Sequence, residues 1–108
     1  MFTRVHGSKV ISDEGFEVNI GQIGHDGLFV QYSRAGRFLV LGAYLQQPLP
    51  KDNRLLDQVP MIVEIPPKLE WLSPERQYLS EIEQREVLEK VKAALEFMGD
   101  PFKFESVP

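Results

Sequence analysis

The chain has 108 residues, no cysteine and a formal net charge of −4. This length suits one domain with its own hydrophobic core, and the lack of thiols excludes disulfides, thiolate catalysis and cysteine-ligated zinc. The negative charge lies in residues 51–108, which hold eight Lys/Arg against twelve Asp/Glu. This balance disfavours nucleic acid as a direct ligand and permits a basic protein partner.

The first half of the chain has the pattern of short strands separated by turn residues. Phe16, Val18 and Ile20 alternate with polar residues, which is the period of a strand with one buried face. Asp13–Gly15 predicts a hairpin between SKVIS and FEVNI, and RAGR predicts a second hairpin between LFVQYS and FLVLGAYLQ. The unbroken apolar run Phe38–Leu41 predicts that both faces of its strand are covered by a helix, a loop or a partner chain.

The segment Gln46–Pro60 contains three prolines and has no clean periodicity, which predicts a long loop. One interpretation is a recognition loop, because prolines reduce the entropy lost when a loop is ordered by a partner. Its candidate contact residues are then Lys51, Asp52, Asn53, Arg54 and Asp57. The other interpretation is a crossover that covers the sheet, with Leu49, Leu55 and Leu56 buried.

A helix is marked at both ends in the last third of the chain. Ser80 and Glu83 fit a capping box, and Gly99 stands where a left-handed C-cap belongs. Apolar residues between them predict one stripe facing the core, formed by Leu88, Val91, Leu95 and Met98 with Ile82, Val87 and Ala94 at its flanks. Residues 102–105 alternate apolar and polar side chains, which predicts a short closing strand.

The helix also carries many carboxylates, which alternate with cations. This pattern predicts a solvated face with i,i+4 ion pairs, such as Glu81 with Arg85. The alternative is an acidic patch for a basic partner, with Glu81 and Glu89 as contact residues. Trp71 is expected in the core or at its edge, and an interface anchor is the alternative.

Together these elements predict an α+β fold in a single domain, residues 1–108. It consists of an antiparallel β-meander sheet, one long C-terminal helix packed on one face and a short closing strand. The sequence shows neither a leader peptide nor an apolar stretch of bilayer length, so we expect a soluble, cytoplasmic protein that does not bind membranes.

No motif of enzymatic chemistry is complete in this sequence. His25 beside Asp26 is a candidate general base, but GHDG also suits an ordinary turn. The two histidines lack metal-ligand spacing, and the glycines of GQIGHDG lack the spacing of a nucleotide-binding loop. We therefore predict a protein without enzymatic activity, metal or cofactor, and keep a small enzyme that uses His25 as an alternative.

Residues 69–108 combine a Trp, a following Pro, the Ser-x-x-Glu cap, a helix and a final apolar strand. This combination resembles the immunity protein 74 family of bacterial polymorphic toxin systems. The residues that carry the resemblance are Trp71, Pro74, Arg85, Leu88, Ala94, Leu95, Phe97 and Gly99. The resemblance implies a small α+β protein that is encoded beside a toxin and neutralises it by binding. An alternative is a small homodimeric structural or ligand-binding domain, in which the central strands meet across a two-fold axis.

Overall fold

The computed structural model describes residues 1–24 and 27–108, apart from the side chains of residues 53, 56 and 57. The described strands are β1 (Phe2–His6), β2 (Lys9–Ser12), β3 (Phe16–Ile23), β4 (Gly27–Arg34), β5 (Arg37–Leu45), β6 (Met61–Ile65), β7 (Glu70–Trp71), β8 (Gln77–Tyr78) and β9 (Phe102–Ser106). The described helices are α1 (Glu81–Met98) and a short 3₁₀ helix (Asn53–Gln58).

Seven strands form one sheet in the order β1-β2-β3-β4-β5-β6-β9, and β7 pairs with β8 in a separate ribbon. Neighbours in the large sheet are antiparallel except β6 and β9, which run parallel. A parallel pair needs a crossover connection, and α1 lies within that connection and packs on one sheet face. The predicted α+β fold, with its long C-terminal helix and closing strand, is confirmed.

The two predicted hairpins are present. Val10 lies opposite Val18 in the first hairpin, and Arg34 lies opposite Arg37 in the second. The second turn has a φ of 52° at Ala35 and 80° at Gly36. Positive φ at both central residues is the property of a type I′ turn, whose twist matches that of the flanking strands.

The ends of α1 are set by local side-chain and backbone bonds. The Glu83 amide donates to the Ser80 hydroxyl at 3.2 Å, and the Ser80 amide donates to the Glu83 carboxylate at 3.2 Å. At the other end, Gly99 has a φ of 88°, and its amide donates to the carbonyl oxygens of Leu95 and Glu96. The predicted capping box and left-handed C-cap therefore fix the helix boundaries.

The core lies between α1 and the sheet. The helix contributes Val87, Val91, Ala94, Leu95 and Met98, all of them buried. Ile82 does not join them, because it is 68% exposed. Nine residues at 3.6 per turn place Ile82 about 180° around the helix from the fully buried Val91, which explains why this flank prediction is wrong.

The apolar run in β5 is buried on the face toward the helix and partly exposed on the other. Leu39 and Leu41 are buried in the core, whereas Val40 between them is 37% exposed. Among the described residues, neither a helix nor a loop buries Val40, so cover of both faces from within the chain is wrong at this residue. Cover by a partner chain stays a prediction. Successive side chains of a strand point to opposite faces, and α1 packs against one of the two.

Candidate partner-binding surfaces

The predicted loop Gln46–Pro60 is closed at its base and is not an extended crossover. The Gln46 amide donates to the Pro60 carbonyl oxygen at 3.0 Å, and the Leu55 amide donates to the Asp52 carbonyl oxygen at 2.9 Å. The second of these bonds lies at the start of the 3₁₀ helix. A loop with joined ends and internal structure is a compact surface loop of the kind that often carries function.

The leucines of this loop decide between its two interpretations. Leu49 is 43% exposed and Leu55 is 44% exposed. The prediction that they are buried against the sheet is therefore wrong for both, and the side chain of Leu56 lies outside the described residues. Together with Pro48, Pro50 and Val59, these two leucines line an open groove within the loop. The loop thus presents apolar surface to solvent as well as charge.

Two of the five predicted contact residues of the loop bind each other. Arg54 Nη2 lies 2.9 Å from Asp52 Oδ2, and the Arg54 amide donates to Asp52 Oδ1 at 2.9 Å. These hydrogen bonds from Arg54 lower the pKa of the Asp52 carboxyl. Lys51 is exposed and has no ion-pair partner within the described part of the chain. The side chains of Asn53 and Asp57 lie outside the described residues.

The predicted carboxylate face of α1 is solvent-exposed. Glu81 and Glu89 are both exposed, as are Glu83, Glu86 and Glu96. The predicted pair of Glu81 with Arg85 is not within ion-pair distance in the described structure. Lys90, another cation of this helix, lies over the Phe16 ring, with its Nζ 5.7 Å from the ring centroid. Within the described structure, the carboxylates of this face therefore have no direct ion pair.

The loop and the start of the helix lie at opposite ends of the molecule. The loop returns to β6 at Met61, whose amide donates to Pro101 just beyond the helix C-terminus at 3.0 Å. Glu81 begins the helix, and α1 has 18 residues, which corresponds to a length of about 27 Å. Glu89 lies midway. The seven predicted contact residues therefore do not form one compact patch.

A second cleft, not anticipated from the sequence, lies at the Glu81 end of the helix. The Arg37 guanidinium lies 4.5 Å from the ring centroid of Trp71 and donates to Gln77 Oε1 at 3.3 Å. Arg34, Tyr32 and three charged residues of α1 also line the cleft, which has a volume of 330 Å³. The sequence signal for this cleft is the pair of arginines, Arg34 and Arg37, on either side of the Ala35–Gly36 turn.

The core interpretation of Trp71 agrees with its environment, because the side chain is 5% exposed and lies beside Tyr32. Its Nε1 has no hydrogen-bond partner among the described residues. Burial raises the pKa of Tyr32, and the nearby Arg34 guanidinium opposes that shift. Cations and carboxylates are mixed in this cleft, so its charge does not select one class of ligand.

The residues of the alternative enzyme interpretation, His25 and Asp26, lie outside the described residues. His6 is exposed, and its Nδ1 accepts a hydrogen bond from the Ser8 amide at 3.3 Å. Within residues 1–24 and 27–108, no group of three or more His, Asp or Glu side chains is placed to hold a metal ion. Among the described helices, none is long and apolar enough to cross a bilayer.

The sheet face opposite α1 is the surface that the homodimer alternative would use. Ile11 and Val40 are 42% and 37% exposed on it, but polar side chains stand between them across β3 and β4. One of these is Glu17, which forms an ion pair with Lys9 at 3.1 Å. Obligate homodimer interfaces resemble a divided protein core, and this mixed face is more polar than that.

Comparisons with protein-family models, curated proteins and solved structures gave no significant match to this chain. The resemblance of residues 69–108 to the immunity protein 74 family therefore stays a prediction.

Proposed function

We propose that this chain is a non-enzymatic binding protein whose Gln46–Pro60 loop contacts a partner protein. The observation that carries the proposal is the exposure of Leu49 and Leu55 on a loop whose base is closed by a hydrogen bond. Contact of apolar side chains with water is unfavourable, so covering them with a partner stabilises the complex. The loop is already closed at its base by the bond from Gln46 to Pro60, which limits the ordering cost of binding.

The proposed partner is a cognate bacterial toxin domain, and binding would neutralise the toxin by covering its functional surface. The support for a toxin is the resemblance carried by residues 69–108. The net charge of −4 and the exposed carboxylates of α1 support a basic partner, because complementary charge speeds the encounter of two proteins. Glu89 lies nearer to the loop than Glu81 does and is the helix residue better placed for such an encounter.

The charged residues of the loop have different roles in this proposal. Asp52 and Arg54 hold the loop conformation by binding each other, so their substitution would act through loop structure. Lys51 is free to contact the partner directly. The exposed leucines would supply the central contacts, with Lys51 at the polar rim that surrounds them.

The experiment is co-expression of this chain with the product of the gene next to its own. We expect the two proteins to co-purify at one-to-one stoichiometry and to stay together through size-exclusion chromatography. We also expect the neighbouring product to inhibit growth when it is expressed without this chain. Two folded proteins that elute separately at micromolar concentration would contradict the proposal.

A further inference from the structure

An apolar pocket of 240 Å³ opens between the sheet and the C-terminal end of α1. The helix ends at Met98, so the last apolar side chains of three strands receive less cover there. Ile20, Leu28 and Leu45 are only partly buried. Val18 in β3 and Val30 in β4, which lie further from the open end, are fully buried. The pocket is the space that the helix leaves open, and Met61, Met98 and Phe102 are among its other lining residues.

Three hydrogen bonds hold the segments that frame this pocket. The Met61 amide donates to the Pro101 carbonyl oxygen at 3.0 Å, and Arg4 Nη2 donates to the Met98 carbonyl oxygen at 2.6 Å. The bond between Gln46 and Pro60 fixes the neighbouring base of the loop. The backbone around the pocket is therefore in place before a partner arrives, while the methionine side chains in its walls can adapt to a guest.

The volume of the pocket selects the size of its occupant. A dry cavity of about 150 Å³ is enough for benzene, whereas pockets for drug-sized ligands measure about 300–1,000 Å³. At 240 Å³ the pocket lies between these limits and suits a single aromatic side chain. Aromatic rings also make favourable contacts with methionine sulfur, which Met61 and Met98 offer here.

The lining of the pocket contains one charged residue, Asp100. Asp100 is exposed, and no cation lies within ion-pair distance of it in the described part of the chain. A carboxylate beside an apolar pocket complements a cation next to the inserted ring. Val59, near the end of the Gln46–Pro60 loop, also lines the pocket and joins it to the loop surface.

We propose that this pocket takes one aromatic side chain of the partner protein, adjacent in the partner to a lysine or arginine that meets Asp100. The inference rests on the proposed function, because it assigns the anchor of the same protein–protein interface. Such an anchor in a preformed pocket is typical of the residues that dominate binding free energy.

The test uses two small probes and the full chain labelled with ¹³C at its three methionine methyl groups. Met61 and Met98 line the pocket, whereas Met1 is 90% exposed and forms an ion pair with Asp13 at the other end of the sheet. We expect 2-phenylethylamine to shift the Met61 and Met98 signals saturably, with a dissociation constant on the order of 1 mM. 3-Phenylpropionate should bind at least about threefold more weakly at low salt, because its charge is repelled by Asp100.

Two substitutions separate the apolar and the charged parts of the proposal. Leu28→Trp should fill the pocket and abolish the shifts, whereas Ile11→Trp on the opposite sheet face should leave them unchanged. Asp100→Asn should remove the difference between the two probes. If Leu28→Trp does not fold, the wild-type titration still decides the matter. Absence of saturable shifts at Met61 and Met98 in the folded wild-type chain would overturn the proposal.

The pocket and the proposed function can fail independently. The probe titration needs no partner, and substitution of Leu49 and Leu55 by serine should leave it unchanged. Once the partner is available, Leu28→Trp should weaken its binding at least about tenfold in a folded chain. Unchanged partner affinity in that variant would overturn the anchor assignment even if the probes bind.

Discussion

A hydrogen bond between Arg4 in β1 and Met98, the last residue of α1, joins the first strand to the end of the helix. Arg4 Nη2 donates to the Met98 carbonyl oxygen at 2.6 Å across 94 residues of sequence. The last turn of α1 has no basic residue of its own, so Arg4 supplies the positive charge that favours a helix C-terminus. The same bond fixes one wall of the proposed anchor pocket.

Replacement of Arg4 by methionine should therefore destabilise the fold. The variant keeps most of the apolar stem and loses a charge-assisted hydrogen bond, which is worth about 1–2 kcal/mol. Arg76→Met is the matched control, because Arg76 is 77% exposed in its ion pair with Glu70, and such pairs contribute about 0–1 kcal/mol. Chemical denaturation measures both variants. Equal loss in the two would show that Arg4 acts as an ordinary surface charge.

The buried helix stripe makes a second prediction about stability. Leu95 is 2% exposed in the core, so Leu95→Ala should lower the free energy of unfolding by about 2–5 kcal/mol. Glu89 is exposed on the same helix, and Glu89→Ala should change it by no more than about 0.5 kcal/mol. Thermal unfolding followed by circular dichroism compares the two. Identical melting temperatures would contradict the packing of α1.

The same substitution should have opposite effects at two alanines. Ala35 has a φ of 52° in the turn between β4 and β5, where glycine is unstrained. Ala35→Gly should raise the free energy of unfolding by up to about 1 kcal/mol, because left-handed backbone costs a non-glycine residue about 1–2 kcal/mol. Ala93 is exposed within α1, and Ala93→Gly should lower it by about 1 kcal/mol. Similar losses in both variants would mean that the turn is not strained.

The ion pair within the loop predicts a pH dependence at one residue. Arg54 lowers the pKa of Asp52, so its carboxyl signal should titrate below the usual midpoint of about 3.9. A depressed folded-state pKa means that the pair stabilises the loop above the unfolded pKa and is lost as pH falls through the folded pKa. NMR titration measures this midpoint, and Arg54→Gln should move it upward. A midpoint that is the same in both proteins would show that the pair does not form in solution.

Local signals in the sequence were sufficient for much of the fold. Ser80 with Glu83 and the glycine at position 99 mark the helix ends through bonds between near neighbours, and the alternation in residues 16–20 marks a strand. Such local structure depends on interactions between residues that are close in sequence, so the sequence pattern is enough to predict it. The boundaries of α1 follow from them directly.

The features that the sequence did not predict depend on distant parts of the chain. The parallel pairing of β6 with β9 and the bond from Arg4 to Met98 join segments that are far apart in sequence. The exposure of Leu49 and Leu55 depends on whether the loop folds back over the sheet. Hydrophobicity alone predicts that both leucines are buried, which is wrong. The pocket exists because the helix and the strands end at different levels. That difference depends on how separate segments pack, so the sequence of any one segment does not predict it.

The central claim is that the exposed leucines of the Gln46–Pro60 loop contact the partner. The most direct test is the affinity of the neighbouring gene product for the Leu49→Ser/Leu55→Ser variant, measured by isothermal titration calorimetry. The control is Val5→Ser/Ile82→Ser, which removes two apolar side chains that are 51% and 68% exposed elsewhere. We predict that the loop variant binds at least tenfold more weakly, a loss of about 1.4 kcal/mol, while the control stays within about twofold of wild type. Wild-type affinity in a folded loop variant would contradict the claim.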